Sequence, residues 1–129
     1  MRATFAAILM AASVVWAHAQ SSIPVIIGVD GPGFDACGGV GRVVGLNPRG
    51  DNFLAVRAGP STDFTKIDEL YTADTVYLCE SRGRWYGVVY SAGGEAGACG
   101  VGSPAPRQRY SGPCRSGWVF GRYISVIAG

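Results

Sequence analysis

Apolar and polar positions alternate over several short stretches of this chain, and only one stretch has helical spacing. In Phe53-Leu54-Ala55-Val56-Arg57, Leu54 and Val56 fall on one face of an extended segment, which Gly59-Pro60 ends. Thr75-Val76-Tyr77-Leu78-Cys79 alternates in the same way, with Val76 and Leu78 directed to a core. Ser81 to Arg84 forms a turn and Trp85 to Tyr90 returns, so the two runs predict a β-hairpin. Gly117-Trp118-Val119 and Tyr123 to Ile127 add two more short strands around a break at Gly121 and Arg122. Glycines 117 and 121 bracket Trp118 and leave too little helix propensity for a terminal helix. Upstream, Pro24 to Val29 predicts a short β-prone arm, and the glycine-rich stretch Gly31 to Gly45 predicts irregular structure. Residues 61 to 71 stay open: Phe64, Ile67, Leu70 and Tyr71 are spaced as on a helix, whereas Thr65, Ile67 and Thr72 are β-branched. About five short strands without a clear helix predict an all-β domain, either a small barrel or a sandwich.

The first residues follow another logic. Arg2 supplies a positive charge, Phe5 to Trp16 an apolar run, and Ala17-His18-Ala19 a small-x-small cleavage signature. Together they predict a signal peptide over residues 1–19, cleaved after Ala19, and an exported product, periplasmic or secreted. An uncleaved anchor would need about 20 apolar residues, and this run is shorter. No stable membrane insertion after cleavage is expected. The remaining stretch of about 110 residues suits one modest domain.

Charge and composition then remove whole classes of chemistry. Without Arg2, the 11 Lys and Arg become ten against nine Asp and Glu, a balance that creates no field for nucleic acid. The one histidine, His18, lies in the predicted leader, so Ser-His-Asp and Cys-His catalysis have no base. Cys37, Cys79, Cys99 and Cys114 are separated by 42, 20 and 15 positions, with no Cys-x-x-Cys pair to suggest zinc. Four cysteines in a small exported chain predict two disulfides in one of three pairings. Sequence alone does not choose among them; the preferred pairing is Cys37–Cys79 with Cys99–Cys114. The first ties the arm to a strand, and the second closes the Gly/Pro/Ser-rich segment 91–113. No metal and no cofactor are expected.

One pattern runs through the second half of the chain. Leu54-x-Val56-Arg57-x-Gly59-Pro60-Ser61, then Leu70, Asp74-x-Val76, Gly83-x-Trp85-Tyr86-x-Val88 and Gly117-Trp118-Val119-x-x-x-Tyr123-Ile124 together resemble a bacterial SH3 (SH3b) domain. The resemblance covers residues 52–126. It implies a small SH3-like barrel of five to six strands, with residues 61–71 as a loop plus second strand and a 3₁₀ turn at Gly121 to Tyr123. The domain organisation it suggests is a glycine-rich N-terminal arm over 20–45 and an SH3b-like domain over 46–129, interrupted by an insertion at 91–114. Two features depart from the family pattern: the insertion is longer than the usual turn, and the arm has no counterpart.

Several motifs have simpler explanations. Gly39-x-Gly41-x-x-x-Gly45 has the wrong spacing for a phosphate loop and no βαβ unit around it. Arg49-Gly50-Asp51 spells an adhesion tripeptide, and a turn before the first barrel strand explains it as well. Asp68-Glu69 fits a solvated pair better than catalytic carboxylates. Trp85, Tyr86, Tyr90, Tyr110, Trp118 and Tyr123 carry more information. Trp118 is expected to fill the barrel, Tyr123 fits either packing or an exposed aromatic platform, and one of Trp85 and Tyr86 is expected to face solvent beside Arg84.

The expected function is therefore a noncatalytic binding module engaging cell-envelope peptide or peptidoglycan, as the SH3b resemblance implies. Its candidate ligand-binding residues are Arg84, Trp85, Tyr86, Tyr90, Arg107 and Tyr110. The alternative is a protein-interaction, inhibitor or immunity role toward another exported protein, through the stapled insertion "SPAPRQRYSG". A small hydrolase is the third reading.

Overall fold

The computed structural model describes residues 2–13 and 21–129. The cleavage signature at 17–19 lies outside the described residues. Among those described, no helix is long and apolar enough to cross a membrane.

The architecture is all-β and antiparallel. Among the described residues nine strands form: β1 (Ile26–Ile27), β2 (Gly39–Val43), β3 (Leu54–Arg57), β4 (Lys66–Leu70), β5 (Thr75–Arg82), β6 (Trp85–Tyr90), β7 (Gln108–Arg109), β8 (Arg115–Phe120) and β9 (Ile124–Ala128). A 3₁₀ turn over Gly121–Tyr123 separates β8 from β9. Seven strands make one sheet in the order β4-β3-β8-β6-β5-β2-β9, while β1 and β7 pair apart from it. The β5–β6 hairpin closes at Gly83 and Arg84, between the paired residues Arg82 and Trp85. Gly83 takes a φ of 58°, and Arg84 is not among the positive-φ residues, the combination that a two-residue type II′ loop needs.

One ambiguity closes and one expectation changes. Residues 66–70 are strand β4, paired with β3, in line with a loop plus strand over 61–71, so the helix-like spacing there is incidental. The stretch 31–45 is not irregular throughout. Its residues Gly39–Val43 are β2, hydrogen-bonded to β5 on one side and β9 on the other. Glycine lowers strand propensity, but Val43 is fully buried, and burial outweighs the local preference. The arm thus contributes a strand to the same sheet as residues 54–128.

Alternation along the central strands sends side chains to two cores. Val43, Leu54, Val56, Leu70, Val76, Val88, Tyr90 and Val119 pack together on one side. Val89 of β6 and Trp118 of β8 point the other way and meet Val25, Ile27, Ala36, Val101 and the buried cysteines. The second core is roofed by chain outside the seven-stranded sheet, namely residues 23–37 and the insertion. Disulfides Cys37–Cys79 and Cys99–Cys114 hold that roof down. Polar contacts add to it. The Trp118 indole N–H donates to the Ile23 carbonyl at 2.8 Å, and the Ile26 amide donates to the Glu80 carboxylate.

Candidate binding groove

The roof covers only part of the outer sheet face. Further along the same face, β8 presents Phe120, two residues beyond Trp118, and its cross-strand partner on β6 is Trp85. Their ring centroids lie 5.5 Å apart, and Phe120 meets Tyr123 of the 3₁₀ turn edge-on at 6.2 Å. All three rings are half-buried. They border an open groove of about 980 Å³, whose other wall is Gly45 to Ala55 with Phe53, and the start of the loop after β3.

That loop is shaped by a few contacts. The Ala58 amide donates to the Thr65 carbonyl at 2.9 Å, and Arg57 Nη1 donates to the Phe64 carbonyl at 2.9 Å. The Phe64 ring folds across Gly59, where an added Cβ would stand 2.4 Å from ring carbons, so a glycine is required. "Arg-Ala-Gly-Pro" is in this sense a geometric instruction: it turns the chain back and leaves Ser61 and Thr62 on the groove rim.

Cations surround the aromatic rings. Lys66 Nζ stands 4.6 Å from the Phe53 centroid and also pairs with Glu69. Arg122 lies 6.0 Å from the Tyr123 centroid. Arg57, Arg84 and Arg122 form no ion pair with a carboxylate among the described residues. Asp51 is the carboxylate on the groove lining. A second depression of about 500 Å³ lies beyond the Trp85–Phe120 pair, lined by Arg84, Tyr86, Gly121 and Arg122 among others, with no carboxylate.

The structure divides the residues singled out in the sequence. Trp85 lines the groove, and Arg84 is exposed at the hairpin turn beside it. Tyr86 points to the opposite face of β6 and packs against the inner core, with part of its ring reaching the second depression. Neither Trp85 nor Tyr86 is fully exposed. Tyr90 is buried and donates its hydroxyl to Asp68 Oδ2 at 2.8 Å. Burial, then the carboxylate beside it, push its phenol well above the ordinary tyrosine range. Tyr90 is therefore a core residue and does not line the aromatic groove. Tyr110 is also committed: its hydroxyl donates to the Cys99 carbonyl and accepts from the Cys114 amide, each at 3.0 Å. Arg107 is exposed on the insertion, away from the groove lining.

Phe53, Arg57, Lys66, Phe120 and Tyr123 were not among the sequence candidates. Part of the signal was present. Once Leu54 and Val56 are taken as core, Phe53 and Arg57 fall on the outer face, and Phe120 shares a face with Trp118. Comparisons with family models, curated proteins and solved structures find no match for this chain.

Proposed function

We propose that this protein is an exported, noncatalytic binding module built on a bacterial SH3-like barrel, and that its aromatic groove engages cell-envelope peptide or peptidoglycan. The observation that carries the reading is the run of Trp85, Phe120 and Tyr123 along an open groove. Half-buried aromatic rings offer large, rigid contact area at small entropic cost, which suits extended peptide or sugar. The SH3-like reading draws support from the all-antiparallel strands and from the 3₁₀ turn just before the last strand. Export draws support from two disulfides, which persist in oxidising compartments. The lack of histidine after residue 18 supports a noncatalytic role, because the commonest general base is missing.

A second reading, inhibition of or immunity to another exported protein, rests on the insertion. There Arg107 and Arg109 are exposed on chain fixed by a disulfide. Co-sedimentation with purified peptidoglycan sacculi separates the two. Groove binding requires retention of the wild-type protein and at least about ten-fold weaker retention of Trp85→Ala. Equal retention of both, or none of either, would remove the groove reading.

A further inference from the structure

Resting on the groove reading, we infer that the preferred occupant is an acidic extended peptide, with its carboxylates held by Arg57, Arg84 and Arg122. Cationic side chains outnumber carboxylates on both sides of the Trp85–Phe120 pair: Arg57, Lys66 and Arg122 face Asp51 in the larger groove, and Arg84 and Arg122 face none in the smaller depression. This asymmetry is local, since the chain as a whole has a formal charge of only +2. Arg57 is pre-positioned, because its bond to the Phe64 carbonyl fixes the guanidinium and occupies one of five donors. Arg122 lies between the two depressions and lines both. A guanidinium with spare donors and no carboxylate partner offers the planar fork that a carboxylate matches. The rings between these cations supply the apolar platform on which an extended backbone lies. A basic peptide would meet like charge along the rim, and a neutral one would gain only the stacking.

The test uses the mature full chain and three synthetic ten-residue peptides of one alternating Pro/Ala scaffold, carrying four glutamates, four glutamines or four lysines. Binding is read from intrinsic tryptophan fluorescence and calorimetry at low and physiological salt. The glutamate peptide is expected to bind about ten-fold or more tighter than the glutamine peptide, with an advantage that shrinks as salt rises. The exposed change Arg122→Glu should abolish that advantage and leave the melting temperature unchanged, and Arg84→Glu should reduce it. Equal affinity for glutamate and glutamine peptides, both lost in Trp85→Ala, would overturn the acidic preference and leave the groove reading standing. Sacculus binding that depends on Trp85, with no peptide bound, would also overturn it. If neither sacculi nor peptides bind, both readings fail together.

Discussion

Trp118 and Trp85 sit on the same outer sheet face, on neighbouring strands, and have opposite fates. Trp118 is fully buried under residues 23–37 and donates its indole N–H to the Ile23 carbonyl. Trp85 is half-buried, makes no side-chain hydrogen bond among the described residues, and opens onto the groove. The sheet offers each the same kind of place, so the difference comes from the roof. Where the arm and the stapled insertion cross the sheet, the aromatic surface becomes core. Where they stop, it stays available, with unpaired arginines around it. The roof is itself poor in regular structure, with β1 and β7 only two residues each, and this explains why both disulfides lie on that side. The inner core is built from strands alone and contains no cysteine.

The largest effect is expected at the covered end. Trp118→Ala should cost about 3–5 kcal/mol of stability, as a large core truncation that also leaves the Ile23 carbonyl unpartnered. Sacculus binding per folded molecule should be unchanged. Urea denaturation of Trp118→Ala and Trp85→Ala side by side checks the contrast, and equal losses in the two would erase it. Next come the disulfides. Replacing Cys37 and Cys79 by serine should cost about 4 kcal/mol, and replacing Cys99 and Cys114 about 3 kcal/mol, from the loop lengths they close. Loss of the second bridge should loosen the insertion while the groove still binds. If that double variant loses its β-sheet circular dichroism, the insertion belongs to the core and is no mere cover.

Much of this division was legible in the sequence, and the rest was hidden for a physical reason. Alternation in "FLAVR" and "TVYLC" located β3 and β5, because each has one face against the inner core, and the turn at Ser81 to Arg84 located the returning strand β6. Cysteine number anticipated two disulfides, and the preferred pairing among the three that sequence left open is the one formed. The strand in Gly39–Val43 was not legible, because its extended state comes from hydrogen bonding to β5 and β9, partners far away in sequence. The roles of Tyr90 and Tyr110 were hidden for a related reason. An aromatic near an arginine has the same sequence signature whether its hydroxyl meets solvent or a partner within the protein. Here the partners are Asp68, 22 positions from Tyr90, and the Cys99 carbonyl, 11 positions from Tyr110.

Smaller effects sharpen the contrast. Tyr110→Phe should lower stability by about 1–2 kcal/mol, since it strips one hydroxyl from both the Cys99 carbonyl and the Cys114 amide. Thermal melts check this, and sacculus binding should stay at the wild-type level. The smallest effect concerns acid. Partial burial pushes the Asp68 carboxyl up, but hydrogen bonds from the Tyr90 hydroxyl, the Glu69 amide and the Arg115 guanidinium outweigh it and hold the group below its usual range. A carboxyl lowered on folding contributes stability above its unfolded value, near pH 4, and that contribution disappears as pH falls through the folded value. Tyr90→Phe should therefore flatten the acid limb of stability below about pH 4. Because the Asp68 carboxyl is only partly buried, solvent screening keeps the change to roughly 0.5 kcal/mol or less. Urea midpoints between pH 7 and pH 2 measure it; an acid limb as steep as the wild type's would mean that the Tyr90 bond does not hold the carboxylate.

The most direct measurement is the sacculus-binding isotherm of residues 20–129 in three forms: wild type, Trp85→Ala and the insertion variant Arg107→Ala with Arg109→Ala. Melting temperatures are recorded alongside. An open aromatic groove as the functional surface requires Trp85→Ala to bind at least about ten-fold more weakly with its fold intact, and the insertion variant to bind as the wild type does. Full binding by Trp85→Ala, with the loss falling on the insertion variant, would contradict it and move the functional surface to the stapled loop.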